Sequence, residues 1–190
     1  RLAWLIGIGT LPIVVLGYLG QSYIENELRS LWVIATTLIL FGFLLGFLDD
    51  MGRNERSLDQ LTPGHGILYG LAQSLALIPG VSRSGATIAM GRILGYRRES
   101  ALRYSFLLAL PAVFGSGLYQ LKKAIDEPGN AVFTMPQTIT ATVVAFLVGY
   151  AVIAWLMRYI STKSFTPFVI YRIVLGTILL IALSTGVIAA

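Results

Sequence analysis

Pro79-Gly80-Val81-Ser82-Arg83-Ser84-Gly85-Ala86-Thr87 interrupts an otherwise apolar stretch of a 190-residue chain. Residues 66–78 before it are apolar but too short to cross a hydrocarbon core of ~30 Å at 1.5 Å per residue. Ser84 to Leu94 after it reads as a second short helix, closed by Gly95. Pro79 removes a backbone donor and stops the first half-helix. Two half-length apolar helices joined at a Pro-Gly break predict a re-entrant hairpin over 64–96, entering and leaving on one face. Irregular backbone is tolerated at membrane depth only where protein or water satisfies its polar groups.

The break is also where chemistry concentrates. Gly80 and Gly85 permit conformations and close approaches that a side chain would block. Ser82 or Ser84 can cap the second half-helix, leaving its first N–H groups and positive dipole end aimed at the tip. That end is an anion site. Arg83 adds a planar fork that matches phosphate oxygens in bidentate fashion, and Ser82, Ser84 and Thr87 add hydroxyls. An arginine near the bilayer centre costs about 3 kcal/mol on insertion scales, so it is a functional candidate by default. The competing reading pairs Arg83 with a carbonyl cluster and uses the glycines only for helix packing. The combination of all these residue types at one helix break favours the anion site.

Outward from the hairpin, the chain is 56% hydrophobic and 12% charged, with a mean hydropathy of +0.77. Soluble domains average about 25% charged residues. Five segments, roughly 3–20, 31–48, 102–121, 138–160 and 166–188, are long enough to span a bilayer. None contains Asp or Glu, and all nine acids fall in what read as connecting loops. The fold class is therefore an all-α integral membrane protein with about five transmembrane helices and one re-entrant hairpin. The absence of cysteine excludes disulfides, thiolate metal sites and a Cys nucleophile. The net charge of +5 reads as membrane orientation, not nucleic-acid binding. One face collects eight Lys and Arg (Arg1, Arg53, Arg56, Arg97, Arg98, Arg103, Arg158, Lys163) and the other three (Arg29, Lys122, Lys123). That asymmetry predicts a cytoplasmic hairpin mouth, with loop 49–64 inside and loop 122–137 outside.

Three stretches carry a family resemblance. They are Gly70-Leu71-Ala72-Gln73 leading through Ala76 into Pro79–Thr87, then Ser105-Phe106-Leu107-Leu108-Ala109-Leu110-Pro111, then Pro167-Phe168-Val169-Ile170-Tyr171-Arg172. In these, and in their order and spacing, the chain resembles the C-terminal two-thirds of the bacterial undecaprenyl-diphosphatase family, the bacitracin-resistance phosphatases. The resemblance implies an inverted-repeat fold. Residues 3–48 would supply two spans completing a first repeat, and 64–190 a second repeat of hairpin plus three spans, all in one membrane domain. It also implies a multi-pass protein of the bacterial inner membrane, with its cavity open to the outer face. The implied reaction removes the terminal phosphate of undecaprenyl diphosphate, recycling the lipid carrier of cell-wall synthesis.

One part of the family pattern is missing. Family members carry a first hairpin with paired glutamates and a Ser-Ser-Thr-Gly-His-like stretch, and nothing of that kind occurs in residues 1–190. The related position here is Gln73. The chain is therefore expected to be a fragment, inactive alone. Arg83 and Ser82 would be catalytic, and Ser82, Arg83, Ser84, Gly85 and Thr87 would bind substrate phosphate. A divalent cation, Mg or Ca, is implied by the family, with its ligands expected in the missing N-terminal part and none in this chain.

Other residues are open to more than one reading. Gln73 can bond a facing hairpin, a bound water or a neighbouring helix. Arg172, six residues into the last span, can snorkel to the surface or turn inward as a second phosphate or structural contact. His65 lies roughly 20 Å from the tip along its helix, which suits an interfacial or capping role better than that of a general base. Arg92, Arg97, Arg98 and Arg103 read as anchors for anionic lipid heads. Tyr18, Tyr23, Trp32, Tyr96, Tyr104 and Tyr159 read as interfacial belts, and Gly115-Ser116-Gly117 as a site of close helix packing. Expected partners are a polyprenyl diphosphate lipid and the bilayer, without nucleic acid, and with a homodimer left open. The competing function is a polyprenyl-lipid transporter or flippase built on the same broken helix. An intramembrane serine protease lacks its later His, and an acid-phosphatase-like enzyme lacks a His shortly after Ser82-Arg83.

Overall fold

A computed structural model describes residues 2–20, 23–24, 28–126 and 134–189. Arg1, Glu25, Glu27 and Glu127, counted above among the charges, lie outside the described residues, as do Asn130 in the 122–137 loop and the side chain of Lys123. The helices are α1 (Leu2–Leu19), α2 (Leu31–Met51), α3 (Pro63–Ser74), α4 (Arg83–Ile93), α5 (Arg98–Asp126), α6 (Met135–Ile160) and α7 (Thr166–Ser184). Five of them, all but α3 and α4, are long and apolar enough to cross a membrane.

α3 and α4 form the hairpin. Thr62 caps α3 by accepting from the His65 amide, with Pro63 in the first turn, where its missing N–H removes no helical bond. The α-helical part of this arm ends earlier than the apolar pattern implies, at Ser74, and tightens into a 3-10 turn over Leu75–Leu77. α1 packs on α3, α2 on α4, and α5 against both α1 and α4. The α1–α3 contact is very close: a Cβ on Gly70 would strike the Gly9 carbonyl oxygen. α7 lies along α2, whereas α6 buries only Ile160.

The hairpin mouth lies with the end of α2, the start of α5 and the α6–α7 connection. Arg56 and Tyr96 form an isolated bridge there. Asp49 ties these elements together and corrects the sequence reading. It is not in a loop but in the last turn of α2, 2% exposed. Its Oδ1 lies 3.1 Å from Arg92 Nε and 2.8 Å from Arg98 Nε, and its Oδ2 accepts from the Phe165 amide. Asp50 shares that turn, while Glu99 and Asp126 lie in the first and last turns of α5.

Arg92 is consequently no lipid anchor. It is 1% exposed and also donates to Asn54 Oδ1 and to the carbonyls of Asp49, Gly52 and Tyr96. Arg97 and Arg103 do remain at the surface. Tyr96 and Tyr104 are not belt residues either, being 1% and 0% exposed in the core with Tyr69, Leu5 and Leu108. Gly115 and Gly117 have open space around them and pack against nothing among the described residues.

Candidate functional site

The tip of the hairpin is held from two sides. Thr37 on α2 offers one hydroxyl proton to the Pro79 carbonyl at 2.7 Å, within reach also of its own helix carbonyls at Val33 and Ile34. Arg172 on α7 turns inward. Its Nη2 donates to the Gly80 carbonyl at 2.7 Å and the Val81 carbonyl at 3.0 Å. Three consecutive carbonyls, left without helical partners where α3 has ended, are thereby satisfied at depth. Thr37 lies fourteen residues before Met51, so the tip reaches roughly 21 Å along α2 from the hairpin mouth.

Between these clamps the backbone takes two left-handed steps, Gly80 at φ +90° and Ser82 at φ +68°. Gly80 is obligatory, because a Cβ there would collide with Thr37 Oγ1. For Ser82 the conformation carries strain of roughly 1–3 kcal/mol, which the Arg172 and Thr37 clamps hold in place. The serine caps α4: its Oγ accepts from the Gly85 amide at 3.2 Å, and Ser84 Oγ lies 3.4 Å away. Ser82, not Ser84, is therefore the N-cap.

The result is an unpaired positive end. Arg83 opens α4, half-buried, and among the described residues its guanidinium has no hydrogen-bond or ion-pair partner. The amides of Arg83 and Ser84 likewise find no acceptor. Two backbone donors and the positive end of the helix dipole thus lie at the start of α4, and among the described residues no acid pairs with the Arg83 guanidinium. A buried or half-buried cation is costly without a counter-charge, and an anionic ligand supplies one.

A cavity of about 230 Å³ adjoins the Ser82 and Ser84 end of α4, and Arg83 is not among the residues that line it. Ser82, Ser84, Gly85 and Arg172 form its polar wall, and Leu45, Leu102, Phe106 and Phe168 are among its apolar walls. Thr87 is not brought to it. That residue is 0% exposed, and its hydroxyl bonds the carbonyls of Arg83 and Ser84 and the Ser105 hydroxyl at 2.5 Å. Gln73 is also 0% exposed and away from the cavity. His65 is at the mouth, with Nδ1 2.8 Å from Tyr96 Oη and Nε2 3.2 Å from Arg56 Nη1. Arg56 can only donate, so His65 Nε2 accepts and Nδ1–H donates to the tyrosine. Thr37 and Ser105 were missed by sequence reasoning, since a lone hydroxyl in an apolar span carries no local signal.

A divalent cation does not fit the residues present. It requires several hard oxygen ligands, yet among the described residues no three His, Cys, Asp or Glu side chains cluster. Asp49, deep at the mouth, already has both oxygens engaged.

Comparison with known proteins gives a consistent result. The family described as Bacitracin resistance protein BacA matches residues 1–178. A protein of Pseudarthrobacter chlorophenolicus named undecaprenyl-diphosphatase is 56% identical over 191 residues, covering all of this chain and 69% of the relative. One of Micrococcus luteus with the same name is 57% identical with the same coverage. Another, of Kineococcus radiotolerans, is 58% identical over 190 residues, all of this chain and 67% of the relative.

Proposed function

The chain belongs to the bacitracin resistance protein family BacA, and from that premise we propose how it acts as an undecaprenyl-diphosphate phosphatase of the membrane. The reaction splits the anhydride P–O bond of the lipid diphosphate with water, yielding undecaprenyl phosphate and inorganic phosphate. The observation that carries the assignment of the site is that Arg83, which opens α4, has an unpartnered guanidinium, while the first two amides of the helix are also unbonded.

In phosphoryl transfer, charge spreads over the equatorial oxygens of the phosphoryl group, and catalysis is mostly positioning and electrostatic stabilisation. Arg83 takes two of those oxygens through its fork, and the Arg83 and Ser84 amides take the third. Ser82 and Ser84 hydroxyls orient the phosphate within the cavity wall. Arg172 touches no reacting atom in this scheme and holds the turn that aims Arg83. A divalent cation has to find its ligands outside the described residues, so no step is assigned to one here. The positive-inside asymmetry supports a cytoplasmic hairpin mouth and a tip facing a cavity open to the outer leaflet. No observation favours the transporter or flippase reading.

The test is release of inorganic phosphate from undecaprenyl diphosphate by the purified full-length protein in detergent, with Arg83→Ala as the comparison. Robust turnover that Arg83→Ala nearly abolishes is expected. An Arg83→Ala variant as active as wild type would remove the tip from the catalytic site.

A further inference from the structure

Inside the hairpin, Tyr69 and Gln73 lie one helical turn apart on α3, and both are 0% exposed. The Tyr69 hydroxyl and both polar atoms of the Gln73 amide, Nε2 and Oε1, have no hydrogen-bond partner. A bare amide is too unfavourable to leave unmatched at membrane depth. Full enclosure leaves no accessible surface through which a group outside the protein could reach it. Whatever satisfies Gln73 is enclosed with it.

Helical register identifies its surroundings. A Cβ on Gly91 would strike the Tyr69 hydroxyl and would lie 2.7 Å from Ala101 Cβ. Tyr69, Gly91 and Ala101 therefore meet in one layer of α3, α4 and α5. α4 runs opposite to the other two, so one turn toward the tip carries Tyr69 to Gln73, Ala101 to Ser105 and Gly91 to Thr87. The Thr87 and Ser105 hydroxyls are joined at 2.5 Å and are 0% and 2% exposed. Thr87 gives its single proton to its own helix carbonyls, at Arg83 (2.9 Å) and Ser84 (3.1 Å). Ser105 then donates to Thr87 and keeps a lone pair for another donor.

We propose that this layer encloses an ordered water that bridges the Gln73 amide to the Ser105–Thr87 hydroxyl pair, making Gln73 a positioning residue for the anion-binding tip. Water suits the donor set and a cation does not. The Gln73 NH2 is a pure donor that a cation would face with like polarity, whereas water accepts from Nε2 and donates to Ser105 Oγ or Gln73 Oε1. Buried waters of this kind typically make about three hydrogen bonds to otherwise unmatched groups. The link to function runs through Thr87, whose hydroxyl is bonded to the carbonyls of Arg83 and Ser84 themselves. The consequence for turnover rests on the phosphatase reading, while the water itself does not.

Two measurements on the full-length protein test this. A crystal structure that resolves buried waters should show a density peak about 2.7–3.2 Å from a Gln73 amide atom. An empty layer in a map showing other enclosed waters would overturn the proposal whatever the activity. Gln73→Met keeps the length of the side chain and removes both orphan atoms. The bridged arrangement predicts a kcat about tenfold lower with KM changed less than about twofold, since the tip shifts while its phosphate contacts persist. Ser105→Ala should give the same fall, and the double variant should add little to either. A simply bare amide predicts the opposite: Gln73→Met would raise Tm and leave kcat unchanged, which would also overturn it. Wild-type protein that binds the water yet releases no phosphate would refute the phosphatase reading and leave the water site standing.

Discussion

Replacing Arg172 by methionine would remove the guanidinium that holds the tip while leaving a side chain of similar width on α7. Two bonds are lost, to the Gly80 carbonyl at 2.7 Å and the Val81 carbonyl at 3.0 Å. Hydrogen bonds to a charged group contribute roughly 1.5–3 kcal/mol each, which sets a ceiling of about 3–6 kcal/mol. Removing the charge also removes the penalty of burying it, and Arg172 is only 9% exposed. The expected net loss is about 2–3 kcal/mol, or on the order of 5–10 °C in Tm for a chain of this size. Activity should fall further than stability suggests. With the Gly80 and Val81 carbonyls released, Gly80 and Ser82 can relax from φ +90° and +68°, and Arg83 loses its aim. A displacement of about 1 Å at a reacting group is enough for a hundredfold loss of kcat/KM. Arg172→Lys keeps the charge but reaches one carbonyl at a time, and should fall between the two. Thermal unfolding and phosphate release, measured together in detergent, read both effects. A methionine variant with wild-type Tm and turnover would refute the idea that Arg172 holds the turn.

Asp49→Asn should destabilise the protein by about 3–5 kcal/mol, because it leaves the buried Arg92 charge without its carboxylate, whereas Arg98→Gln, at 27% side-chain exposure, should lose less than about 1 kcal/mol; chemical denaturation distinguishes them. His65 has its pKa lowered, first by burial and then by the Arg56 charge. The unfolded state therefore binds the proton more readily. Stability of the hairpin mouth should be unaffected well above the ordinary value of 6.5 and should fall as pH drops through and below it. His65→Gln should flatten that limb of a Tm-against-pH curve. For orientation, a cysteine at Asn54 should react with an impermeant reagent only in opened cells and one at Asn130 in intact cells; the reverse pattern would invert the proposed topology. Residues 1–190 expressed alone should show no metal-dependent phosphate release above a vector control, given the lack of a cation ligand cluster among the described residues.

The spans and the broken helix were legible because their signals are local. A Pro-Gly break between apolar half-helices and an arginine flanked by serines can be read within a dozen residues. The errors that bear on the site and the core arose where a distant partner decides the outcome. Asp49 at the end of an apolar run reads as a loop acid, and only Arg92, forty-three residues later, makes it a buried hub. Tyr104 near a span end reads as an interfacial aromatic, but its hydroxyl donates to the Leu5 carbonyl at 3.0 Å across the core. Thr87 follows the same logic at shorter range. Its place in the motif suggested a phosphate contact, yet a threonine within a helix returns its hydroxyl to the preceding turn, and Ser105 completes the enclosure. For Arg172 the sequence left two readings open, and the carbonyls of Gly80 and Val81 decided between them.

The central claim is that Arg83 grips a phosphate through its planar fork at the unpaired start of α4. The most direct test is kcat/KM of the full-length Arg83→Lys enzyme relative to wild type on undecaprenyl diphosphate. A lysine keeps the charge and loses the bidentate geometry, so a decrease of about a hundredfold, close to 3 kcal/mol of transition-state stabilisation, is predicted. A lysine enzyme within about threefold of wild type would mean that charge alone suffices, and would contradict the account.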